Sequence, residues 1–180
     1  LRGKTLGIVG LGSIGKKVAR LAQAFGMTVT YYDIRRLSED QEDALGVRFR
    51  LLDEMLEAAD VVTLHVPLNE STHHLINADR LARMQASSIL VNTSRGPVVD
   101  ETALTEALTA RRLFAAGLDV FNDEPPAPDN ALFALDNVVL TPHLAGPTYE
   151  SHEARIRNGF DNVQRVARGE APLWVIPELG

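Results

Sequence analysis

The sequence predicts an α/β fold in which a doubly wound parallel sheet carries helices on both faces. Apolar runs of strand length alternate with amphipathic stretches along most of the 180 residues, a pattern typical of parallel strands joined by helices. The first apolar run also ends in a glycine-rich turn that opens an amphipathic stretch. With 45% hydrophobic residues, the chain can bury a core without disulfide or metal cross-links.

The composition excludes several classes of protein and site. The absence of cysteine excludes disulfides, thiolate zinc sites and a cysteine nucleophile. A formal net charge of −6 argues against nucleic-acid binding. No apolar run approaches the roughly 20 residues that span a bilayer, and the first strand follows a short polar stretch rather than a signal peptide. We therefore expect a cytoplasmic protein without a nucleic-acid or membrane partner.

The predicted elements follow in order along the chain. Strands are predicted at 5–10, 28–32, 47–49, 61–66, 88–92, 114–120 and 138–140. Helices are predicted at 14–25, 52–59, 77–84, 100–110 and 149–168, with a short helix or a loop at 38–45. The side chains expected to pack the first helix on the sheet are Ile14, Val18, Leu21, Ala22 and Phe25.

Gly10, Gly12 and Gly15 form a G-x-G-x-x-G pattern between the first strand and the first helix. The first glycine permits a tight turn, the second lets a pyrophosphate approach the backbone, and the third lets the helix pack closely on the strand. The free N–H groups at the start of the helix would face the phosphates. In this context the pattern predicts a Rossmann domain that binds a dinucleotide.

Asp33, at the end of the second strand, predicts which dinucleotide is bound. It follows the glycine turn at about the 20-residue spacing expected for the acid that accepts hydrogen bonds from the adenosine ribose. Its charge would repel a 2′-phosphate, so NAD is the predicted cofactor. Arg35 and Arg36 leave NADP open, because a nearby arginine can accommodate that phosphate.

Three polar residues just past later strands predict chemistry at the same edge of the sheet. Arg95, Glu124 and His143 each follow an apolar run, and ligands of open parallel sheets bind beyond the carboxyl ends of the strands. An arginine can bind a carboxylate and polarise a carbonyl. A histidine can donate a proton to a developing alkoxide, and a neighbouring glutamate would orient the imidazole and stabilise its protonated form. Together they suit hydride transfer to a 2-keto acid.

The chain resembles the NAD-binding domain of the D-isomer-specific 2-hydroxyacid dehydrogenases, a family that includes phosphoglycerate, glyoxylate/hydroxypyruvate and D-lactate dehydrogenases. The segments that carry the resemblance are GLGSIG, YYD, HVPL, NTSRGPVVDE, GLDVFNDEPP and TPHLAG, and they extend over nearly the whole chain. The resemblance implies that Arg95, Glu124 and His143 are the catalytic residues. It leaves open a non-catalytic, NAD-sensing module like the transcriptional corepressors that share this fold.

The resemblance also implies a set of cofactor contacts. They are Ser13 and Ile14 at the pyrophosphate, Val66 and Pro67 beside the adenosine, Thr93, Ser94 and Arg95 near the nicotinamide ribose, Asp119 and the backbone around Gly146 at the carboxamide, and His143 at the nicotinamide end. His65, beside the same cleft, is interpreted as structural. His73 and His74 are neighbours in sequence and cannot share a helix face, so no metal site is expected.

Members of the family have two domains, which bears on the organisation expected here. Residues 1–169 would form the nucleotide domain, ending with the helix at 149–168, and residues 170–180 would link it to a flavodoxin-like substrate domain that this sequence lacks. The resemblance implies a homodimer formed through the nucleotide domain. Without the second domain we expect cofactor binding but little turnover, because closure of the cleft completes such sites.

Overall fold

Seven parallel strands form one sheet in the computed structural model, which describes residues 1–175. The strands are β1 Thr5–Val9, β2 Thr28–Tyr32, β3 Val47–Phe49, β4 Val61–Leu64, β5 Ile89–Asn92, β6 Ala115–Leu118 and β7 Val138–Leu140. Their order in the sheet is β3-β2-β1-β4-β5-β6-β7, and every neighbouring pair is parallel. The order reverses between β1 and β4, which places a binding crevice at their carboxyl ends. The predicted Rossmann fold is confirmed.

Helices connect the strands, as the sequence predicts. They are α1 Ser13–Ala24, α2 Glu39–Leu45, α3 Leu52–Ala58, α4 Ala78–Arg83, α5 Glu101–Thr109 and α6 Tyr149–Ala167. Each predicted strand and helix is present, with its ends within two residues of the prediction. The segment at 38–45, predicted as a short helix or a loop, forms the helix α2. A capping box stabilises its start, in which the Ser38 side chain accepts a hydrogen bond from the Gln41 amide. The short 3₁₀ helices Gly96–Val98 and Ala131–Ala134 were not predicted.

The core lies on both faces of the sheet. On one face Leu6 and Ile8 of β1 pack with Ala19 of α1. On the other face the neighbouring Val9 packs with Met55 of α3 in a larger cluster that extends to α5. Burial on both faces explains why the strands read as continuous apolar runs rather than as alternating patterns.

The predicted packing face of α1 is wrong for three of its five residues. The exposed ones are Ile14, Leu21 and Phe25, at 64%, 63% and 63% of their accessible surface. The helix buries Ala22, as predicted, together with Gly15 and Ala19. A Cβ on Gly15 would lie 2.3 Å from the Gly10 carbonyl oxygen, so the helix approaches the strand more closely than large side chains permit.

The chain divides into two compact units, Leu1–His143 and a second that begins at Leu144 and contains α6. Within the second unit, the residues after α6 return along the helix. The Leu173 amide donates to Asn162 Oδ1 at 2.7 Å, and Asn162 Nδ2 donates back to the Leu173 carbonyl at 2.8 Å. The predicted linker at 170–180 therefore begins with residues held on α6, and its last part, 176–180, lies outside the described residues.

Candidate active site

The glycine turn forms a cradle that fits a pyrophosphate. Gly10 has a φ of +91°, and a Cβ there would lie 2.7 Å from the His65 carbonyl oxygen, so this position requires glycine. A Cβ on Gly12 would meet nothing within 4 Å, which means that this position faces open space. No side chain caps the N-terminus of α1, and its first turn contains no acid. The first N–H groups of α1 therefore face outward, where an anion can accept them.

Asp33 lies directly after β2, across from the glycine turn. Its Oδ2 accepts a hydrogen bond from the Leu11 amide at 2.7 Å, and its Oδ1 accepts one from the Arg35 amide at 2.9 Å. These two bonds fix the carboxylate beside the turn. Each oxygen keeps a second lone pair that can accept from a ribose hydroxyl.

A cavity of about 570 Å³ opens at the carboxyl ends of β4 and β5, beside the start of α1. It is lined by Ile14, His65, Val66, Pro67, Leu68, Thr93, Ser94 and Arg95. Six of these eight residues are predicted cofactor contacts, and they come from three separate segments of the sequence. The structure thus brings them together at one site of the size usual for small-molecule ligands.

His65 lines this cavity although the sequence analysis gave it only a structural role. Its Nε2 lies 3.1 Å from Thr63 Oγ1. Burial lowers the pKa of His65 below its usual value, so the ring is neutral near pH 7. Its carbonyl oxygen also lies against Gly10. His65 therefore packs the floor of the crevice under the glycine turn.

Asn92 holds the turn that carries Arg95, a role that the sequence analysis missed. The side chain is buried, at 1% exposure. Its Oδ1 accepts from the Ser94 amide at 3.0 Å and from Ser94 Oγ at 2.8 Å, and its Nδ2 donates to the Arg95 carbonyl at 2.9 Å. Asn92 therefore fixes the backbone from which the guanidinium projects. An asparagine at a strand end is the available signal, because its side chain commonly folds back on the next turn.

The loops that carry Arg95 and Glu124 are in direct backbone contact. A Cβ on Gly96 would lie 1.9 Å from the Phe121 carbonyl oxygen and 2.5 Å from the Asn122 nitrogen, so only glycine fits there. The second loop is held in turn by Glu101, whose Oε2 accepts from the Asn122 amide at 2.9 Å. These contacts set the arginine loop against the loop that bears the glutamate.

Glu124 and His143 form a hydrogen-bonded pair, as the sequence predicts. His143 Nδ1 lies 2.7 Å from Glu124 Oε2, and the Phe121 amide donates to the other carboxylate oxygen at 3.1 Å. The bond from His143 holds the pKa of Glu124 below its usual value, with smaller contributions from Phe121 and the charge of Arg95. Glu124 is therefore an anion near pH 7 that can stabilise an imidazolium.

The backbone places the His143 ring for this pairing. The residue follows β7, its amide donates to the Asp119 carbonyl at 2.8 Å, and its φ is +56°. Few residues other than glycine adopt this left-handed conformation, and those that do are often found at functional sites. With Nδ1 bonded to Glu124, Nε2 is the nitrogen that can exchange a proton with a ligand.

A second cavity, of about 360 Å³, lies beside this pair. Its lining is Phe121, Glu124, Pro125, Pro126, Phe133, Leu140, Thr141, Pro142 and His143. Asp119 is buried nearby at 3% exposure and accepts a hydrogen bond from Thr141 Oγ1 at 2.5 Å. Gly146 belongs to the second unit, and its contact with the cofactor stays a prediction.

Comparison with known proteins shows a family match over most of the chain. Residues 1–145 match the family described as D-isomer specific 2-hydroxyacid dehydrogenase, NAD binding domain. The chain belongs to this family. It is similar to the glyoxylate reductase of Korarchaeum cryptofilum, with 50% identity over 94% of this chain and 51% of the relative. It is also similar to the hydroxypyruvate reductase of Thermotoga maritima, with 44% identity over 92% of this chain and 53% of the relative.

A solved structure shows the same arrangement of elements. The D-lactate dehydrogenase of Aquifex aeolicus, complexed with NAD and lactic acid, superposes with a TM-score of 0.86 and 38% identity over 93% of this chain and 54% of that one. The chain thus has both the family and the fold of the NAD-binding domains of D-isomer specific 2-hydroxyacid dehydrogenases. It spans about half the length of the curated relatives named above.

Residues 1–175 were searched for membrane-spanning helices and for metal sites. None of their helices is long and apolar enough to cross a membrane. They also contain no group of three or more His, Asp or Glu side chains that could hold a metal ion. The rings of His73 and His74 stack on each other, with centroids 4.0 Å apart.

Proposed function

We propose that this chain works within a two-domain enzyme that transfers a hydride between NAD(H) and a 2-hydroxy or 2-keto acid. The observation that carries the proposal is the bond between His143 and Glu124 at 2.7 Å, beside the loop of Arg95 and next to the crevice of the glycine turn. An acid–base group, a cation and a nucleotide cradle at one edge of the sheet match the needs of this reaction.

Each of the three residues has a separate task in this proposal. Bound NADH supplies the hydride to the substrate carbonyl. Arg95 binds the substrate carboxylate and polarises its carbonyl. His143 donates the proton from Nε2 to the developing alkoxide and takes it back in the oxidation direction. Glu124, hydrogen-bonded to Nδ1, orients the ring and stabilises its charged form.

NAD rather than NADP is the proposed nucleotide. Asp33 is fixed beside the glycine turn by two backbone amides, where its charge would repel a 2′-phosphate. Gly12 faces open space and leaves room for the pyrophosphate. Ser13 and Ile14 would donate their N–H groups to that pyrophosphate, while Val66, Pro67, Thr93 and Ser94 would contact the nucleosides.

We propose a small 2-keto acid, glyoxylate or hydroxypyruvate, as the substrate of the complete protein. The support is the similarity to a glyoxylate reductase and to a hydroxypyruvate reductase, at 50% and 44% identity. A phosphoglycerate dehydrogenase of the same family is 43% identical, so oxidation of phosphoglycerate is the competing reaction.

We propose further that the protein is a cytoplasmic homodimer that associates through this domain. The resemblance to the family supports the homodimer, and the composition, which contains no cysteine, supports the cytoplasmic location. The structure adds that Leu21 and Phe25, one turn apart on α1, expose most of their apolar surface. Large exposed apolar side chains of this kind are commonly buried at subunit interfaces.

The experiment that tests the proposed function uses the complete two-domain protein. The absorbance of NADH is followed with glyoxylate, hydroxypyruvate and pyruvate, and in the reverse direction with phosphoglycerate. Consumption of NADH with at least one small 2-keto acid is expected. NADH binding without turnover of any of these acids would contradict the enzymatic role and favour the non-catalytic, NAD-sensing module.

A further inference from the structure

Two arginines follow Asp33, and their side chains have different surroundings. Arg35 is exposed, and within residues 1–175 no carboxylate pairs with its guanidinium. Arg36 Nε instead donates to Glu42 Oε1 at 3.2 Å. Its Cζ lies 5.1 Å from the centroid of the Phe49 ring. Arg36 is therefore held by α2 on one side and by the end of β3 on the other.

Glu42 is a rigid anchor for this contact. Its side chain is only 5% exposed, whereas that of Arg36 is 58% exposed. The Tyr31 hydroxyl donates to the same Oε1 at 3.0 Å and itself accepts from the Leu37 amide at 2.9 Å. Burial would raise the pKa of Glu42. The hydrogen bonds from Tyr31, Arg36 and the Phe49 backbone, with the charge of Arg36, outweigh burial and keep that pKa below its usual value. The carboxylate stays charged and cannot follow Arg36 if that side chain moves.

This anchor lies at the edge of the sheet that would receive the adenosine ribose. Tyr31 of β2 pairs with Phe49 of β3, and Asp33 follows two residues after Tyr31. Arg36 is thus three residues from the carboxylate that would accept the ribose hydroxyls. An arginine at such a place can accommodate the 2′-phosphate of NADP. Here its guanidinium is committed to Glu42 and to the Phe49 ring instead.

We propose that Glu42 is a specificity-determining residue, which holds Arg36 on Phe49 and so withholds that guanidinium from a 2′-phosphorylated dinucleotide. Glu42 does not touch the nucleotide and acts through Arg36, in addition to the direct repulsion by Asp33. The inference rests on the proposed binding of NAD(H) beside Asp33. It also answers how two consecutive arginines coexist with a preference for NAD.

The test measures the Kd of NADPH and of NADH on this chain by fluorescence titration. To remove the direct repulsion, the variants are compared in an Asp33→Ser background. Glu42→Gln keeps the size of the side chain and an acceptor for Tyr31 but removes the charge that holds Arg36. We expect it to tighten NADPH binding about tenfold, the value of one charge-assisted hydrogen bond, and to change NADH binding less than twofold.

Two further variants identify the residue that acts. Adding Arg36→Ala to Glu42→Gln should abolish the gain in NADPH affinity, whereas adding the matched change Arg35→Ala should leave most of it. If Glu42→Gln fails to fold, Glu42→Met replaces the carboxylate with an apolar side chain of similar volume. Arg36, being more than half exposed, then returns to water rather than staying as a buried unpaired charge.

The outcomes separate this proposal from the proposed function. If Glu42→Gln leaves the NADPH affinity unchanged while NADH binds normally, the proposed role of Glu42 is contradicted but the proposed function is not. Weaker NADPH binding by Glu42→Gln would also overturn it, because Glu42 would then be holding Arg36 in place for the phosphate. A wild-type chain that binds neither nucleotide would contradict both proposals.

Discussion

The change Gly12→Val separates binding of the nucleotide from stability of the fold. Gly12 has a φ of −73°, which any residue can adopt, and its Cβ would meet nothing within 4 Å. Replacing the glycine stabilises the fold by about 0.4–1 kcal/mol, because it reduces the conformational entropy of the unfolded chain. Valine is a poorer residue than glycine at the start of a helix by about the same amount. We therefore expect the free energy of unfolding to change by less than about 1 kcal/mol.

Binding of NADH should suffer far more. The valine side chain would occupy the open space through which a pyrophosphate reaches the first N–H groups of α1. Each hydrogen bond from those groups to a charged oxygen contributes about 1.5–3 kcal/mol. Loss of two of them raises the Kd by a factor on the order of 10² to 10⁴.

The assay combines urea unfolding with fluorescence titration of NADH, and two other glycines supply the controls. Gly117→Ala places its Cβ 3.9 Å from the Val91 side chain, an ordinary contact, and should change neither quantity. Gly15→Ala places its Cβ 2.3 Å from the Gly10 carbonyl oxygen and should impair both. A well-folded Gly12→Val variant that binds NADH normally would show that the turn is not the phosphate site.

Three further outcomes follow from the site. His143→Gln should raise the pKa of Glu124 toward its usual value, which carboxyl NMR titration of this chain measures; an unmoved pKa would show that the 2.7 Å bond is absent in solution. In the complete protein, Asn92→Asp loses the donor to the Arg95 carbonyl and should lower kcat/KM for the keto acid about tenfold while leaving the Kd of NADH within twofold; an unaltered kcat/KM would exclude a positioning role. Because burial lowers the pKa of His65 in the folded chain, the His65 ring of the unfolded chain is protonated first as the pH falls. The free energy of unfolding should therefore decrease below about pH 6.5. Urea unfolding at about pH 7 and about pH 5.5 should show a smaller decrease for His65→Gln than for the wild type.

The fold could be predicted because its signals are local. The strands are apolar runs buried on both faces. The glycine turn requires Gly10 and Gly15, because a Cβ at either position would clash with backbone atoms. The rule that ligands bind at the carboxyl ends of parallel strands placed Arg95 and His143 at one edge of the sheet. The bond between His143 and Glu124 then follows from residue chemistry.

The features that the sequence analysis failed to predict depend on packing distances between elements, which cannot be read from a single sequence. The large apolar residues on α1 do form an amphipathic stripe, but Gly15 and Ala19 let the adjacent face of small residues approach the sheet. The hold of Asn92 on the Arg95 turn depends on a buried amide whose partners are backbone atoms. The pairing of Arg36 with a glutamate six residues later depends on how α2 packs against β3.

The central claim is that His143, held by Glu124, is the proton donor for reduction of a 2-keto acid by bound NADH. The measurement that tests it most directly compares kcat for the best keto acid in the wild-type complete protein and in His143→Ala, with the Kd of NADH determined for both. We predict a fall in kcat by about 10² to 10⁴, with NADH binding unchanged. A kcat within a few-fold of wild type would contradict the assignment of His143.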